Sequence, residues 1–345
     1  MPISLQMANC GLAAILVLFV GSRLPAALGD DAIEPAAAIA QRTLRGLRDE
    51  RLQLRSGHVS ISGESFARSS GKVRERNAVQ SEYAFDLSAQ SYRYCNRESF
   101  RIQQLAASST PGTNGISSTA QKPPAFPCRL LYVQNSDTSA WWTQDSQTLL
   151  TDIELGPREG LVPSSVISRH HYYDLRAVGV QDYAAFRGAG SLSTIFAELL
   201  DGTFVSAQVD GSRTTLSIKT TAGRTELIVE TRDGFQPVQR VTTDPSGDIE
   251  VTSQTTWTRK AGVFVPATMT MTRRVPKLDL ETGYELTYDW HAVNTPLNSR
   301  LFTWESFPDL PTTLSIDVVD KRGKAPVRIG LWNGSRFVVP HPESP

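Results

Sequence analysis

The chain has 345 residues, of which 40% are hydrophobic and 20% are charged, and its 35 basic side chains balance its 35 acidic ones. This neutral balance excludes the basic excess that binding to a nucleic acid backbone requires, so no nucleic acid partner is expected. The composition is that of a globular chain with enough apolar residues for a sizeable core, which excludes disorder over most of its length.

The first 29 residues have the pattern of a secretion signal. An apolar run from Gly11 to Val20 precedes a segment of small residues that ends at Gly29. The run is shorter than the roughly 20 apolar residues that a helix needs to span a bilayer, and no later segment is long enough either. Cys10 precedes the apolar run, whereas a lipid-anchored cysteine would follow it. We predict cleavage before Asp30, export to the periplasm or the cell exterior, and no transmembrane segment in the mature chain.

Removal of the signal leaves two cysteines, Cys95 and Cys128, in a protein bound for an oxidising compartment. A disulfide between them is the natural pairing there. It would close a loop over about residues 101–127 that is rich in Ser, Thr, Pro and Gly, which we expect to be disordered. The alternative, a redox-active pair, lacks the close C-x-x-C spacing that tunes a thiol.

Apolar periodicity predicts a helix first and strands afterwards. Residues Ala36 to Arg51 carry apolar side chains at three- to five-residue spacing, which is typical of an amphipathic helix. From Leu52 the period changes to two, through Leu54, Val59 and Ile61, and strands are expected to begin. Between about residues 163 and 202 helical spacing returns, and we predict two or three short helices as an insertion.

Regular turn signals divide the segment from Thr203 to Val293. They predict an antiparallel meander of about seven strands, because short connections force neighbouring strands to run in opposite directions. Within one predicted strand, the apolar residues from Tyr284 to Trp290 alternate with polar ones. The turn candidates are Asp210–Gly211, Ala222–Gly223, Asp233–Gly234, Ser246–Gly247, Ala261–Gly262 and Thr282–Gly283.

The C-terminal segment contains one further turn signal. Asn333 and Gly334 lie between apolar runs, so residues 330–345 are predicted to form a terminal hairpin followed by a tail. Together the elements predict a mainly β protein of the α+β class, built around one large curved antiparallel sheet.

Two stretches of this sequence resemble a known superfamily. They are Phe235 to Val265, with Pro237, Asp244, Pro245 and Trp257, and the closing segment that contains Phe302 and Trp304. With the order of the predicted elements, they resemble the periplasmic lipoprotein carriers of the LolA-like and LolB-like superfamily and the related RseB-type regulators. Locally the chain also looks like exported proteins of planctomycete-type bacteria. The resemblance implies a single domain over residues 30–329, an open half-barrel around apolar space, with an N-terminal helix and a short helical lid.

A search for catalytic and metal-binding patterns finds no convincing candidate. The sequence has no HExxH motif and no convincing Gly-x-Ser-x-Gly setting, and the adjacent residues His170 and His171 would not share one helix face. His58 and His291 are interpreted as surface residues. No cofactor and no metal is therefore expected, and a hydrolase on a β scaffold is the least favoured reading.

Four apolar residues of the predicted helical insertion carry the sharpest functional hypothesis. Phe186, Ile195, Phe196 and Leu199 line a cavity under a lid in one interpretation and are ordinary core in the other. The resemblance favours a non-enzymatic carrier, chaperone or sensor of a lipid or lipidated partner. The alternative is a protein–protein interaction or structural module that binds another exported protein and no small ligand.

Overall fold

The computed structural model describes residues 35–96, 99–100, 126–127, 129–144, 153–157, 174–181, 192–221, 223–307, 316–333 and 335–339. The predicted signal peptide, Cys128, Phe186, the pair His170 and His171, and most of the predicted disulfide loop lie outside these residues.

The described residues form two α-helices and eighteen strands. The helices are α1 (Ala36–Leu52) and α2 (Leu192–Leu200). The strands of the first half are β1 (Ser56–Ser69), β2 (Lys72–Asp86), β3 (Ser91–Asn96), β4 (Ser99–Phe100), β5 (Phe126–Pro127), β6 (Arg129–Gln134), β7 (Thr138–Gln144) and β8 (Ile153–Pro157). Those of the second half are β9 (Thr203–Asp210), β10 (Arg213–Thr220), β11 (Gly223–Glu230), β12 (Gln236–Thr243), β13 (Glu250–Lys260), β14 (Val263–Val275), β15 (Leu280–Val293), β16 (Ile316–Asp320), β17 (Val327–Trp332) and β18 (Phe337–Val338).

Sixteen of these strands form one open sheet, in the order β18-β17-β16-β8-β7-β6-β3-β2-β1-β15-β14-β13-β12-β11-β10-β9. The predicted mainly β class and the meander are confirmed, because β9 to β15 are seven consecutive antiparallel neighbours. One pairing differs from the predicted antiparallel pattern, since β8 and β16 run parallel. The sheet is completed by β1, which pairs with β15 from the other end of the chain, as in the register Ile61 opposite Tyr288.

The alternation predicted for the last meander strand is confirmed. Leu286, Tyr288 and Trp290 are buried, whereas Glu285 and the other intervening side chains are exposed. Successive strand residues point to opposite sides of a sheet, so this pattern marks one covered side and one open side. We call the covered side, on which α1 and α2 pack, the inner face.

One predicted turn is wrong. Gly283 lies inside β15, and the chain reverses instead at the short 3-10 helix Pro276–Leu278. A Cβ atom on Gly283 would lie 2.3 Å from the carbonyl oxygen of Met271 and 2.5 Å from the ring of Phe66. A glycine is needed here because the backbone and side chains of neighbouring strands approach it closely. Local sequence does not distinguish such a glycine from one that forms a turn.

The predicted start of the strands is also wrong, by a few residues. The helix continues to Leu52, and β1 begins at Ser56. The amide of Gln53 donates to the carbonyl oxygens of Glu50 and Arg51, which closes the last helical turn. The spacing of Leu52 and Leu54 therefore reflects a helix end, with Leu52 exposed and Leu54 buried beneath it.

Three apolar clusters hold the fold together. The sheet cluster covers the inner face of β1, β2, β3, β6 and β13 to β15 and includes Leu175 and Val178. The helix cluster joins α1 and α2 to β10 and β11. The outer cluster lies on the opposite side of β3, β6 and β7, where the segment that contains Phe302 and Phe307 packs. The sheet is thus covered on both sides around β3 and β6.

Candidate functional site

Large aromatic side chains dominate the sheet cluster. Tyr83, Tyr94, Tyr132, Tyr288 and Trp290 are each at most 5% exposed. The rings of Tyr83 and Tyr94 lie 4.6 Å apart, at an angle of 37°. Aromatic rings of this kind present large apolar areas, so the inner face is chemically suited to contact hydrocarbon.

The polar tips of these aromatic residues have partners within the protein. The Tyr132 hydroxyl donates to Oε1 of Gln134 at 2.8 Å, and Nε1 of Trp290 donates to the carbonyl oxygen of Pro266 at 2.9 Å. Buried polar groups are stable when they are hydrogen-bonded. The surface that these side chains present to neighbouring groups is therefore apolar.

Three of the four predicted site residues lie together on α2. Ile195, Phe196 and Leu199 are 8%, 1% and 7% exposed, and they pack in the helix cluster against α1, β10 and β11. Their partners are apolar, and Leu44 and Ile218 are completely buried among them. Phe186 lies outside the described residues, so its place beside the other three stays a prediction.

Sequence reasoning missed a buried arginine at the end of α1. Arg51 is 1% exposed, and its guanidinium carbon lies 4.2 Å from the centre of the Trp257 ring on β13. No hydrogen-bond partner is found for its Nε and Nη2 atoms among the residues that the structure describes. A signal was present in the sequence, because Arg51 follows Leu44 and Leu47 at seven- and four-residue spacing, which places it on the buried face of the helix.

Desolvation dominates the electrostatics of this arginine. Burial lowers the pKa of the Arg51 guanidinium to about 10, and the neighbouring carboxylate of Glu50 offsets only part of this effect. An arginine is otherwise charged at every pH that proteins experience. The charge is therefore retained near neutral pH, in surroundings that disfavour it.

Several polar side chains of β12 and β13 are buried. Gln236, Ser253 and Thr255 are at most 5% exposed, and within the described part of the chain no hydrogen-bond partner is found for Nε2 of Gln236 or for the two hydroxyl oxygens. Unsatisfied buried polar atoms are uncommon in native proteins, and several of them together call for a physical explanation. Sequence periodicity did not identify these residues.

The strands β12 and β13 pack closely against each other and against Gly179 next to Trp257. Nε1 of Trp257 donates to the carbonyl oxygen of Pro237 at 2.9 Å. A Cβ atom on Gly179 would lie 3.0 Å from that same oxygen and 3.2 Å from Oγ1 of Thr255. The end of α1, the segment 174–181 and the strands β12 and β13 therefore meet at one place on the inner face.

The outer face carries a serine, a histidine and an aspartate that superficially resemble a catalytic triad. Oγ of Ser60 lies 2.7 Å from Nε2 of His291, but Nδ1 of His291 is 4.0 Å from Asp289, beyond hydrogen-bonding distance. Ser60 is in the middle of β1 and is paired on both sides, with Asp289 and Glu82. Its neighbouring amides are committed to the sheet, which leaves no donors for an oxyanion. This arrangement does not make an active site.

The two histidines of this outer surface differ in exposure. The His291 side chain is 42% exposed, as expected for a surface residue, but His58 is 23% exposed and its Nε2 lies 2.9 Å from Glu82. Among the described residues, no group of three or more His, Cys, Asp and Glu side chains is arranged to hold a metal ion.

One cleft formed by described residues lies at the strand ends and not on the inner face. It has a volume of about 390 Å³ and is lined by Arg68, Arg274 and Glu281, among others. Both arginines are paired with Glu281, at 2.8 and 2.9 Å. Each arginine therefore has a carboxylate partner, so this cleft does not offer an unpaired cation to a ligand.

Comparisons with known proteins find similarity in structure only. No family model and no curated protein matches the sequence. A solved DUF1329 family protein from Desulfovibrio piger has 12% identity and a TM-score of 0.41, with 79% of this chain and 98% of that chain covered. A LolA superfamily protein from Nitrosomonas europaea has 10% identity and a TM-score of 0.39, with 78% and 99% covered.

A third solved structure has a similar TM-score and sequence identity. It is an outer membrane lipoprotein-sorting protein domain from Vibrio parahaemolyticus, with 8% identity, a TM-score of 0.42, and 76% of this chain and 97% of that chain covered. The structures similar to this chain thus include members of the superfamily that its sequence resembles. At these TM-scores the similarities carry no information about a ligand or partner of this chain.

No helix in the described part of the chain has both the length and the apolar character needed to cross a membrane.

Cys95 is buried in the outer cluster on β3. Its predicted disulfide partner lies outside the described residues, so the bridge stays a prediction.

Proposed function

We propose that this protein is an exported, non-enzymatic carrier, chaperone or sensor that holds the apolar part of a lipid or lipidated partner on the inner face of its sheet. The observation that carries the proposal is the chemistry of that face, where aromatic and aliphatic side chains from seven strands form one continuous apolar surface.

The free energy available from hydrocarbon contact is sufficient for capture. Burying a dozen acyl methylenes releases roughly 10 kcal/mol, at about 0.8 kcal/mol each, before the costs of ordering. Micromolar affinity corresponds to about 8 kcal/mol. An apolar surface of this kind can therefore retain an acyl chain without a charged contact, provided that the surface becomes accessible.

The helix α2 is the element that controls access in this proposal. It has only nine residues, and side chains in the helix cluster attach it to α1 and the sheet. Isolated helices of this length are not stable in water, so α2 depends on that packing. An acyl chain that enters between α2 and the sheet exchanges contacts with Ile195, Phe196 and Leu199 for equivalent contacts with its own methylenes.

One observation favours the second candidate, a protein–protein interaction module. At one end of the sheet, β9 pairs only with β10 among the described strands, and Val205 and Val209 on it are 55% and 52% exposed. An exposed edge strand with apolar side chains can add a strand from a partner. This candidate requires no small ligand, so ligand binding distinguishes it from the carrier.

A fluorescent fatty-acid probe tests the carrier proposal. We expect the wild-type protein to bind the probe with micromolar affinity and Phe196→Asp to bind it at least tenfold more weakly. The matched control is Ala197→Asp, which introduces the same charge at the adjacent exposed position of α2 and should leave binding unchanged. Circular dichroism verifies that each variant is folded, and Ile195→Ala provides a milder change if Phe196→Asp is not.

Two results contradict the carrier proposal. The first is the absence of probe binding by the folded wild-type protein across the micromolar range. The second is equal binding by the Phe196 and Ala197 variants. The first result, with an intact fold, favours the interaction module, and the second shows that any bound probe does not contact Phe196.

A further inference from the structure

The charge of Arg51 is only partly compensated within the protein. Moving an ion from water into a protein interior is unfavourable unless a counter-ion and hydrogen bonds offset the loss of hydration. Arg51 contacts the face of the Trp257 ring, but no hydrogen bond or ion pair is found for its guanidinium within the described residues. A cation–π contact stabilises the charge but does not satisfy the N–H donors.

The groups near Arg51 share one chemical property, the capacity to donate hydrogen bonds. The guanidinium offers Nε and Nη2, Gln236 offers its amide nitrogen, and Thr255 offers its hydroxyl. Thr255 is two residues from Trp257 on β13, and Gln236 precedes Pro237, whose carbonyl oxygen accepts from the Trp257 ring. Buried donors beside a cation are suited to bind an anion.

The acidic groups in this region do not supply that anion. Glu50 is the neighbouring carboxylate, and its Oε2 lies 3.4 Å from the position that a Cβ atom on Gly234 would occupy, on the side of Gln236. The carboxylate of Glu50 acts on Arg51 electrostatically and raises its pKa, but no ion pair between the two side chains is found among the described residues. The described chain therefore leaves the cation without a carboxylate at bonding distance.

We infer that Arg51 binds the oxyanion of an amphiphilic ligand, a carboxylate or a phosphate, whose hydrocarbon part lies on the inner face. This inference rests on the proposed carrier function and assigns it a ligand class, single-chain or phospholipid amphiphiles with an anionic head group. The planar guanidinium can donate hydrogen bonds to two oxygens of either anion, while one of its faces packs on the Trp257 ring. Gln236 and Thr255, the unpaired donors nearest to Trp257 along β12 and β13, are the further donors to the oxyanion.

Isothermal titration with chain-matched probes tests the inference on the full mature chain. The probes are dodecanoate, dodecyl phosphate, dodecanol and inorganic phosphate. We expect both anionic amphiphiles to bind at least tenfold more tightly than dodecanol, and inorganic phosphate to bind far more weakly than dodecyl phosphate. The ratio of dodecanoate to dodecyl phosphate affinity then separates a carboxylate head group from a phosphate one.

Arg51→Met removes the charge and keeps the length and apolar contact of the side chain. We expect this variant to bind dodecanol as the wild type does and to lose the preference for the anions to within twofold. The matched control, Arg45→Met, changes an exposed arginine on the same helix and should retain the preference. A midpoint of thermal unfolding that is unchanged or raised for Arg51→Met is the second expected result, because a buried unpaired charge is removed.

Three outcomes overturn the inference, and they are distinguishable. Equal affinity of the wild type for dodecanol and dodecanoate removes the anion site and leaves the carrier function intact. Retention of the anion preference by Arg51→Met does the same and places the head group elsewhere. Failure of every amphiphile to bind a folded wild-type protein removes the carrier function, and with it the ligand that Arg51 was inferred to bind.

Discussion

Arg51 and Trp257 join the N-terminal helix to the meander. The guanidinium carbon of Arg51 lies 4.2 Å from the centre of the Trp257 ring, and the same indole donates a hydrogen bond to the carbonyl oxygen of Pro237. One side chain thus connects the last turn of α1 with two neighbouring strands, β12 and β13. The position of α1 on the inner face depends on this contact and on the helix cluster.

Substitutions of Trp257 separate the contribution of its hydrogen bond to Pro237 from that of its ring face under Arg51. Trp257→Phe keeps an aromatic face under Arg51 but removes the bond to Pro237, and we expect a loss of about 1 to 2 kcal/mol in the free energy of unfolding. Trp257→Leu removes the ring as well, and we expect a loss of about 2 to 4 kcal/mol. Urea unfolding measures both, and equal losses would show that the ring face contributes nothing.

A glycine substitution tests the pairing of β1 with β15. A Cβ atom on Gly63 of β1 would lie 1.9 Å from the carbonyl oxygen of Glu285 on β15. Gly63→Ala must push these strands apart, and we expect a loss of about 3 kcal/mol or more in unfolding free energy. Gly71→Ala is the control, because no atom lies within 4 Å and only its backbone φ of +68° is strained, for about 1 kcal/mol. Similar losses for the two variants would contradict this register.

Stability in acid should depend on Glu281. Partial burial acts to raise the pKa of this carboxyl, but hydrogen bonds from Arg274 and Arg68 outweigh it and hold the pKa below its ordinary value. A depressed pKa in the folded state stabilises the protein above the unfolded pKa of about 4.3 and stops doing so as pH falls through the folded value. Because Glu281 is 20% exposed, the contribution is at most about 1 kcal/mol.

Thermal unfolding between pH 7 and pH 3 measures this contribution. Glu281→Gln should unfold at a lower temperature than the wild type near pH 7, and the difference should shrink as pH falls below about 4. Glu285→Gln is the control on the same strand, since Glu285 is exposed and no ion pair of it is found in the described part of the chain. A difference that persists unchanged at pH 3 would mean that the carboxylate charge is not responsible.

The predicted disulfide is tested by thiol counting. Two cysteines remain after cleavage before Asp30, and we expect the unfolded, unreduced protein to contain no thiol that reacts with a maleimide. Reduction should lower the free energy of unfolding by roughly 3 to 4 kcal/mol, because the bridge restrains a loop of about thirty residues. Detection of two reactive thiols in protein from an oxidising compartment would exclude the bridge.

The sequence predicted those elements whose apolar pattern is local. The helix α1, the alternation of β15 and the turn at Asp210–Gly211 follow from side-chain spacing within a few residues. Near the predicted turn at Asn333, Leu331 of β17 pairs with Val338 of β18. Local pattern was sufficient because each of these elements has one apolar side or a defined turn residue.

Other parts of the fold could not be predicted from local pattern. The distal half of the β1–β2 hairpin, around Arg74 and Arg76, is mostly polar and exposed, so periodicity left it unassigned. The pairing of β1 with β15 joins residues more than 200 positions apart, such as Val59 and Trp290, and no local signal encodes it. The spacing of Arg51 from Leu44 and Leu47 indicated the buried face of α1, but its partner Trp257 is about 200 positions away and could not be predicted from that spacing.

The most direct test of the carrier function is native mass spectrometry with lipid extraction. The sample is the mature chain, residues 30 to 345, purified from a host that exports it. We predict co-purified acyl lipid at near-stoichiometric level, absent from Phe196→Asp and present in the control Ala197→Asp. A clean ligand-free mass for the folded wild-type protein, with no binding of added fatty acid, would contradict the carrier function and leave the interaction module.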